Sequence, residues 1–254
     1  MALGKTAAVV IGGFPLGESD RVVTFFSRQY GKIRGVARAA RRIRSRFAGA
    51  LELGTLGELV FFDTGRSDLV RVDHFDVLRP FAHVRDDLGR LGHAAWIVEL
   101  VGRLTADRDA NPAVYGLLVR ALGSVDAGAA AGRVAVAFGL RCVEALGHRL
   151  RTDACASCGR RVALAQGTVA VDVDAGGVLC GACGAGRRDT VALAAGSALA
   201  LQRLRAMAWH EATAVRLGAA ERELRMLLER QVAALTGHPP RSARFVRTVE
   251  ELTR

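Results

Sequence analysis

Five of the 254 residues are cysteines, and four stand as two pairs, Cys155-Ala-Ser-Cys158 and Cys180-Gly-Ala-Cys183, with 21 residues between the pairs. Two thiolates three positions apart can grip one metal ion from a tight turn, and two such pairs complete a tetrahedral four-cysteine set of the kind that holds zinc. Gly159 and Gly184 follow the pairs directly, and glycine lets a chain turn tightly enough to aim its amides at sulfur. Short strand signals at 162–164 and 169–173, with a turn at 174–177, make the segment a zinc ribbon. One Zn2+ per chain is expected, on Cys155, Cys158, Cys180 and Cys183. Four thiolates close the site, so the metal is expected to be structural. Two disulfides or four inert thiols are the alternatives, and a reducing compartment disfavours disulfides. Cys142, on an apolar helical stripe, reads as a small buried hydrophobe.

A second chemistry is carried by residues 28–46, RQYGKIRGVARAARRIRSR, which hold eight cations and no acid. Like charge this dense repels itself and becomes useful when a polyanion arrives. In 32–38 the pattern alternates: Ile33, Gly35 and Ala37 fall on one side, Lys32, Arg34 and Arg38 on the other. A strand with a basic face is expected there, followed by a mobile basic loop at 39–46. Charges two residues apart on a strand stand roughly 6.8 Å apart, a ladder that can follow a phosphate backbone. The candidate DNA-binding residues are Lys32, Arg34, Arg38, Arg41, Arg42, Arg44 and Arg46. A surface that is merely solvated and arginine-rich is the plainer alternative, and the presence of only two lysines among 36 cations gives it some weight.

The elements that must position these groups change character along the chain. Up to Pro80 the pattern has period two. Strands are expected at 6–11, 20–28, 32–38, 56–62 and 69–78, with Gly12-Gly13-Phe14-Pro15-Leu16-Gly17 as a loop and 63–67 as a hairpin turn. Five short strands in this span fit a small Greek-key barrel of the OB type. Eight of the 14 aromatic residues lie here. Most should be core, while Tyr30 and Phe47 are the candidates for stacking on bases. Beyond Pro80 the period becomes helical. Val84, Leu88, Leu91, Ala95, Val98 and Val101 make one stripe, and Asn111-Pro112 starts a second helix. Val134, Phe138 and Cys142 mark a third that Gly147 can cap. Helices at 197–209 and 219–236 follow, and Ser242 caps a last one. The fold class is therefore α+β: an N-terminal OB-fold barrel (1–80), then a helical domain (81–150 and 188–254) interrupted by a four-cysteine zinc insert (151–187).

A net charge of +11 favours a nucleic acid or an anionic surface as partner. No apolar run approaches a membrane span, and the start of the chain lacks a signal peptide, so a cytoplasmic, nucleoid-associated protein is expected. Gly4-Lys5-Thr6 lacks the upstream glycine of a phosphate loop, and the six histidines stand in no catalytic spacing. Nothing points to an enzyme. The competing functions are a zinc-ribbon RNA- or transcription-associated factor using Arg160, Arg161, Arg187 and Arg188, and a scaffold whose basic faces bind acidic peptides.

The chain resembles the RecO family of bacterial recombination mediators. The likeness begins at Gly17-Glu18-Ser19-Asp20-Arg21 and runs through Thr24, Gly31-Lys32, Arg34 and Ala37-Arg38. It continues at Leu78-Arg79-Pro80-Phe81 and the double CxxC insert, and returns at Leu235-Thr236-Gly237 and Arg241-Ser242-Ala243-Arg244-Phe245. Ala39 departs from the pattern, standing where the family usually has glycine. The resemblance implies a protein that binds single- and double-stranded DNA, anneals complementary strands, and helps load RecA together with RecR. In some members the acidic tail of the single-strand-binding protein is a further partner.

Overall fold

The computed structural model describes residues 2–65, 67–164 and 167–252. Five strands come first: β1 (Ala2–Leu16), β2 (Asp20–Ser27), β3 (Gly31–Ala37), β4 (Leu56–Asp63) and β5 (Leu69–Arg79). They close into a barrel in the order β1-β2-β3-β5-β4, with β4 returning to the first half of β1. Neighbours are antiparallel except β3 and β5, which run parallel. The glycines expected to break β1 do not break it. The register slips between Val10 and Gly12, a bulge that bends one long strand so that it serves β4 with Ala2–Val9 and β2 with Ala8–Leu16. The turn proper is Gly17-Glu18-Ser19, where Gly17 has φ 58°. Of the expected hairpin turn at 63–67, Arg66 lies outside the described residues.

Alternation sends Val10, Val23, Phe25, Ile33, Leu59 and Phe75 into the barrel, where the rings of Phe25 and Phe75 lie 5.3 Å apart. The opposite face of β1 and β2 is apolar too. Val9, Ile11 and Phe26 join the core of the helices that follow, so barrel and helices are packed against each other.

After a 3-10 turn at Ala82–Arg85 come α1 (Leu88–Leu104), α2 (Pro112–Asp126) and α3 (Ala131–Ala145). Asn111 caps α2 by accepting from Val114 N at 3.0 Å. The single stripe expected for α1 is too narrow. Leu88 is exposed, while Trp96, Ile97 and Leu100 are buried along with Val98 and Val101, because β1 packs on one side of the helix and other helices on the rest. At Gly139 of α3, a side chain would overlap the Trp96 ring and Leu228, so glycine permits this close approach.

The insert holds β6 (Thr168–Asp172), β7 (Gly177–Leu179) and the single turn α4 (Gly181–Gly184), and β8 (Thr190–Ala194), just beyond it, joins its sheet. Its sheet has the order β7-β6-β8. The strand expected at 162–164 is not formed; Ala154 and Arg161 make an isolated bridge instead. Strand β8 runs directly into α5 (Ala195–Ala206), followed by α6 (Trp209–Ala214), α7 (Ala219–Thr236) and α8 (Ser242–Leu252). No described helix is long and apolar enough to cross a membrane.

Candidate nucleic-acid interface and cysteine cluster

Strand β3 alternates as expected: Ile33, Gly35 and Ala37 are buried, while Lys32, Arg34 and Val36 lie outside the barrel with Arg38 next in that row. Lys32 nevertheless does not face solvent. Its Nζ donates to Gly102 O (2.9 Å) and Thr105 O (2.7 Å) and lies 3.2 Å from Asp107 Oδ1, with the side chain 16% exposed. An ammonium has three donors, and all are occupied within the protein. The phosphate contact expected of Lys32 is therefore corrected to a strut between the barrel and the end of α1. Gly31 completes the joint. Its φ is 63°, and a Cβ would overlap the backbone of Asp109. Replacing Lys32 by alanine leaves two carbonyls and a carboxylate without their cation, which should cost roughly 2–4 kcal/mol in a denaturant melt. Binding to a polyanion, titrated against salt, should keep the slope of the parent chain.

Arg34 pairs with Asp107 at 2.7 Å, both side chains nearly half exposed. Burial opposes ionisation of Asp107, yet Lys32 and Arg34 together hold its carboxyl below the usual range. An exposed pair of this kind is worth little, so Arg34 can exchange Asp107 for a phosphate at small cost.

The segment expected to be a mobile loop is a string of hydrogen-bonded turns, with Arg42 N on Ala39 O and Ser45 N on Arg42 O. It is pinned to the β1–β2 turn. Asp20 Oδ1 accepts from Ala39 N (2.8 Å) and Ser19 Oγ (3.0 Å), and Arg41 N donates to Ser19 O. The Ala39 amide, then the Ser19 hydroxyl, hold the Asp20 carboxyl below its ordinary range, with Arg38 and Arg42 adding to the effect. Ala39 has φ 56°, a left-handed conformation that glycine adopts without strain, which is what a glycine at this position would serve. The Arg41 guanidinium donates to Gly17 O and Glu18 O, so part of its capacity positions the turn. Arg38, Arg42 and Arg44 are exposed, and Arg46 stacks over the Phe47 ring at 5.0 Å.

Phe47 is not a base platform. It is 3% exposed and packs in the barrel interior, because the chain after the arginines folds back to plug that end. Tyr30 stays partly exposed, edge-on to Phe61 at 5.4 Å.

Sequence reasoning missed a cleft of about 670 Å³ where barrel meets helices, lined in part by Thr24, Arg34, Glu99, Arg103 and Arg241. Only tertiary structure brings residues this distant in sequence together. Glu99 organises it, accepting from Arg103 Nε (2.7 Å), Arg241 N (2.8 Å) and Ser242 N (2.8 Å) and Oγ (2.5 Å). The cap of α8 is thus supplied by α1 rather than by Ser242 itself. Burial opposes ionisation of Glu99, but these donors prevail and hold its carboxyl below the ordinary range. A depressed folded-state pKa gives stability that is present above the unfolded value and lost as pH falls through the folded one. Glu99→Ala should therefore cost roughly 2 kcal/mol near neutrality and less in acid, read from urea melts across pH.

The four cysteines expected to bind metal do converge. Cys155 follows Ala154, which bridges to Arg161, Cys180 is the N-cap of α4, and all four Sγ atoms lie within 4.8 Å of one another. Cys158 and Cys180 Sγ are 3.7 Å apart, close to the ~3.8 Å edge of a tetrahedron with metal–sulfur bonds of ~2.3 Å. The amides of Cys180, Cys158 and Ser157 point at Cys155 Sγ, and that of Cys180 leads in lowering its pKa to about 6. Four convergent sulfurs with amide donors behind them can hold a metal ion. Cys142 is buried apart from them, its thiol pushed up to about 12 by desolvation.

Two family models match the chain, Recombination protein O N terminal over residues 1–81 and Recombination protein O C terminal over residues 85–243. Among curated proteins, the chain is similar to "DNA repair protein RecO" of Anaeromyxobacter dehalogenans strain 2CP-C, 41% identical over 79% of this chain and 78% of the relative. It is similar to the protein of that name in Geobacter sulfurreducens, 39% identical over 71% and 72% of the two chains. The Roseiflexus sp. strain RS-1 protein is 32% identical over 98% of this chain and 87% of its own length.

Proposed function

The chain belongs to the RecO family of DNA repair proteins, and on that premise we propose that it acts in recombinational repair as a DNA-binding mediator without bond chemistry of its own. It binds single- and double-stranded DNA, anneals complementary strands and, with RecR, helps load RecA. The observation that carries this reading is the row of exposed Arg38, Arg42 and Arg44 at the end of β3, held in place by Asp20 and Arg41. Arg34, Arg41 and Arg46 add to it. Cations held on a fixed surface neutralise phosphates on two strands and lower their mutual repulsion, so annealing follows from screening and proximity. The test is annealing of short complementary oligonucleotides. Faster pairing with the chain present, at a gain that vanishes in high salt, is expected; pairing no faster than without protein contradicts it.

The three proposed units are the barrel (1–80), the helices (81–150 and 188–254) and the cysteine insert (151–187), with a structural Zn2+ on Cys155, Cys158, Cys180 and Cys183. A groove of about 480 Å³ between α5 and α7, with Leu199, Met207, Val215 and Leu217 inside and Arg203 and Arg216 beside them, supports the acidic tail of the single-strand-binding protein as a partner. A cytoplasmic, nucleoid-associated location goes with this role. Exposed Arg160, Arg161 and Arg188 around the cysteines favour the RNA-binding alternative, while Arg187 is engaged by Asp172. Tighter binding to RNA than to DNA of one sequence would decide for it.

A further inference from the structure

We propose that the hollow where the cysteine insert leaves the helices, built from Arg149, Arg151 and Arg205, is a binding site for a small free diphosphate. The hollow has a volume of about 580 Å³ and is lined by Arg149, Arg151, Thr152, Asp153, Gln202 and Arg205. No barrel residue takes part, so the site is separate from the basic surface of β3 and the turns beyond it.

The chain between α3 and Cys155 is extended and held from two sides. Side chains of α7 and α5 take its alternate carbonyls: Gln231 donates to His148 O, Arg205 to Leu150 O (2.9 Å) and Gln202 to Thr152 O (2.9 Å). On the opposite edge Arg151 N donates to Gly176 O (2.7 Å) and Arg151 O accepts from Val178 N (2.9 Å). A Cβ at Gly177 would overlap the Arg151 backbone, so glycine permits that pairing. Alternation buries Leu150 and Thr152 and leaves Arg149, Arg151 and Asp153 exposed in one row. The backbone beneath these charges is thus fixed before any ligand arrives.

Three guanidinia line the hollow against one carboxylate, Asp153. Arg149 has an ion pair with Glu144 at 2.9 Å, but its side chain is 63% exposed, so the contact is exchanged at small cost. Arg151 and Arg205 have no acidic partner within 4.0 Å among the described residues. Arg205 spends Nη1 on Leu150 O, while its Nε is buried and meets no acceptor among the described residues. The Nε–Nη2 edge, which grips an oxyanion through two parallel hydrogen bonds, is therefore unspent. Burial pushes the Arg205 guanidinium below its ordinary range; Glu144 opposes this and Arg149 adds to it. An anion between the two arginines relieves that strain on both.

The shape of the hollow selects the anion. No aromatic or large apolar side chain lines it, so a base or an acyl chain finds no surface there. Three cations around one hollow exceed what a single backbone phosphate, with one charge, can satisfy. A diphosphate carries about three charges and offers an oxygen to each guanidinium, which is the planar, bidentate recognition that arginine serves best.

The experiment is calorimetric titration of the full chain with sodium pyrophosphate, and separately with sodium sulfate, in chloride buffer. Pyrophosphate should bind once per chain and roughly tenfold or more tighter than sulfate. Arg151→Ala should weaken it roughly ten- to a hundredfold, the range for loss of one charge-assisted contact. Arg151 is exposed and its side chain holds no other element, so this variant keeps the fold; Arg205→Lys, which keeps the charge and loses the fork, should also weaken binding. The triple Arg38, Arg42 and Arg44 to alanine variant should bind pyrophosphate within about twofold of the parent. Oligothymidylate should bind Arg151→Ala like the parent and should not displace pyrophosphate. No saturable binding, sulfate bound equally well, or pyrophosphate binding lost in the triple variant but kept in Arg151→Ala overturns the site. Displacement by oligothymidylate, with weaker DNA binding in Arg151→Ala, makes the hollow part of a nucleic-acid track and overturns the free diphosphate. Each of these results leaves the repair role standing, since that role is read from annealing.

Discussion

Replacing Cys158 and Cys180 by serine should unfold the segment from Arg151 to Ala194 and lower the melting temperature of the helical part, while the barrel keeps its strands. The segment is about the size below which a core rarely suffices without a metal or a cross-link. Its own strands are short, and its apolar residues Val169, Val171, Val178 and Leu193 face the core of the helices. Structural zinc supplies on the order of 10–16 kcal/mol of apparent folding free energy in comparable small units. Loss of two of four sulfurs removes most of that. The disturbance should spread through β8, which runs unbroken into α5. Elemental analysis of the parent should give about one zinc per chain, and the variant close to none. Limited proteolysis should cut the variant between 159 and 190 first. A parent without metal that melts with its variant would refute the site.

Replacing Arg38, Arg42 and Arg44 by alanine should weaken binding to all sequences alike. Each phosphate contact on a single strand contributes about −0.7 to the slope of log K against log salt, so three lost contacts should flatten it by roughly two units. If the two chains converge near 1 M salt, the variant binds roughly a hundredfold more weakly at 0.1 M. Stability should hold, because these side chains are exposed and make no hydrogen bond or close ion pair among the described residues; what is lost is the pull of Arg38 and Arg42 on Asp20, the smallest of the influences on its carboxyl. Arg41 serves poorly in such a test: its guanidinium also holds the β1–β2 turn, so its loss mixes charge with shape.

These expectations rest partly on what was legible in the chain. The alternation of Ile33, Gly35 and Ala37 with Lys32 and Arg34 could be read because period two survives any detail of packing. The cysteine spacing could be read because ligand geometry fixes it locally. The partners of Lys32 could not, since its acceptors lie about 70 residues on and a lysine in a basic run looks like every other cation. Phe47 misled for a similar reason: a polar, arginine-rich stretch gives no sign that it will turn back into the barrel. Gly12 and Gly13 signal a loop when taken alone, yet backbone pairing with β2 carries the strand through them. Strand β8, which closely follows an arginine-rich turn, merges with the helix it precedes and leaves no boundary to detect.

DNA is expected to lie on the outer face of the barrel and the turns beyond β3. Amide hydrogen exchange of the intact chain, with and without saturating oligothymidylate, tests it most directly. Slowed exchange is expected in 12–24 and 34–46, with 155–183 unchanged. Protection confined to the cysteine insert or to the helices, with the barrel face exchanging as before, would contradict it.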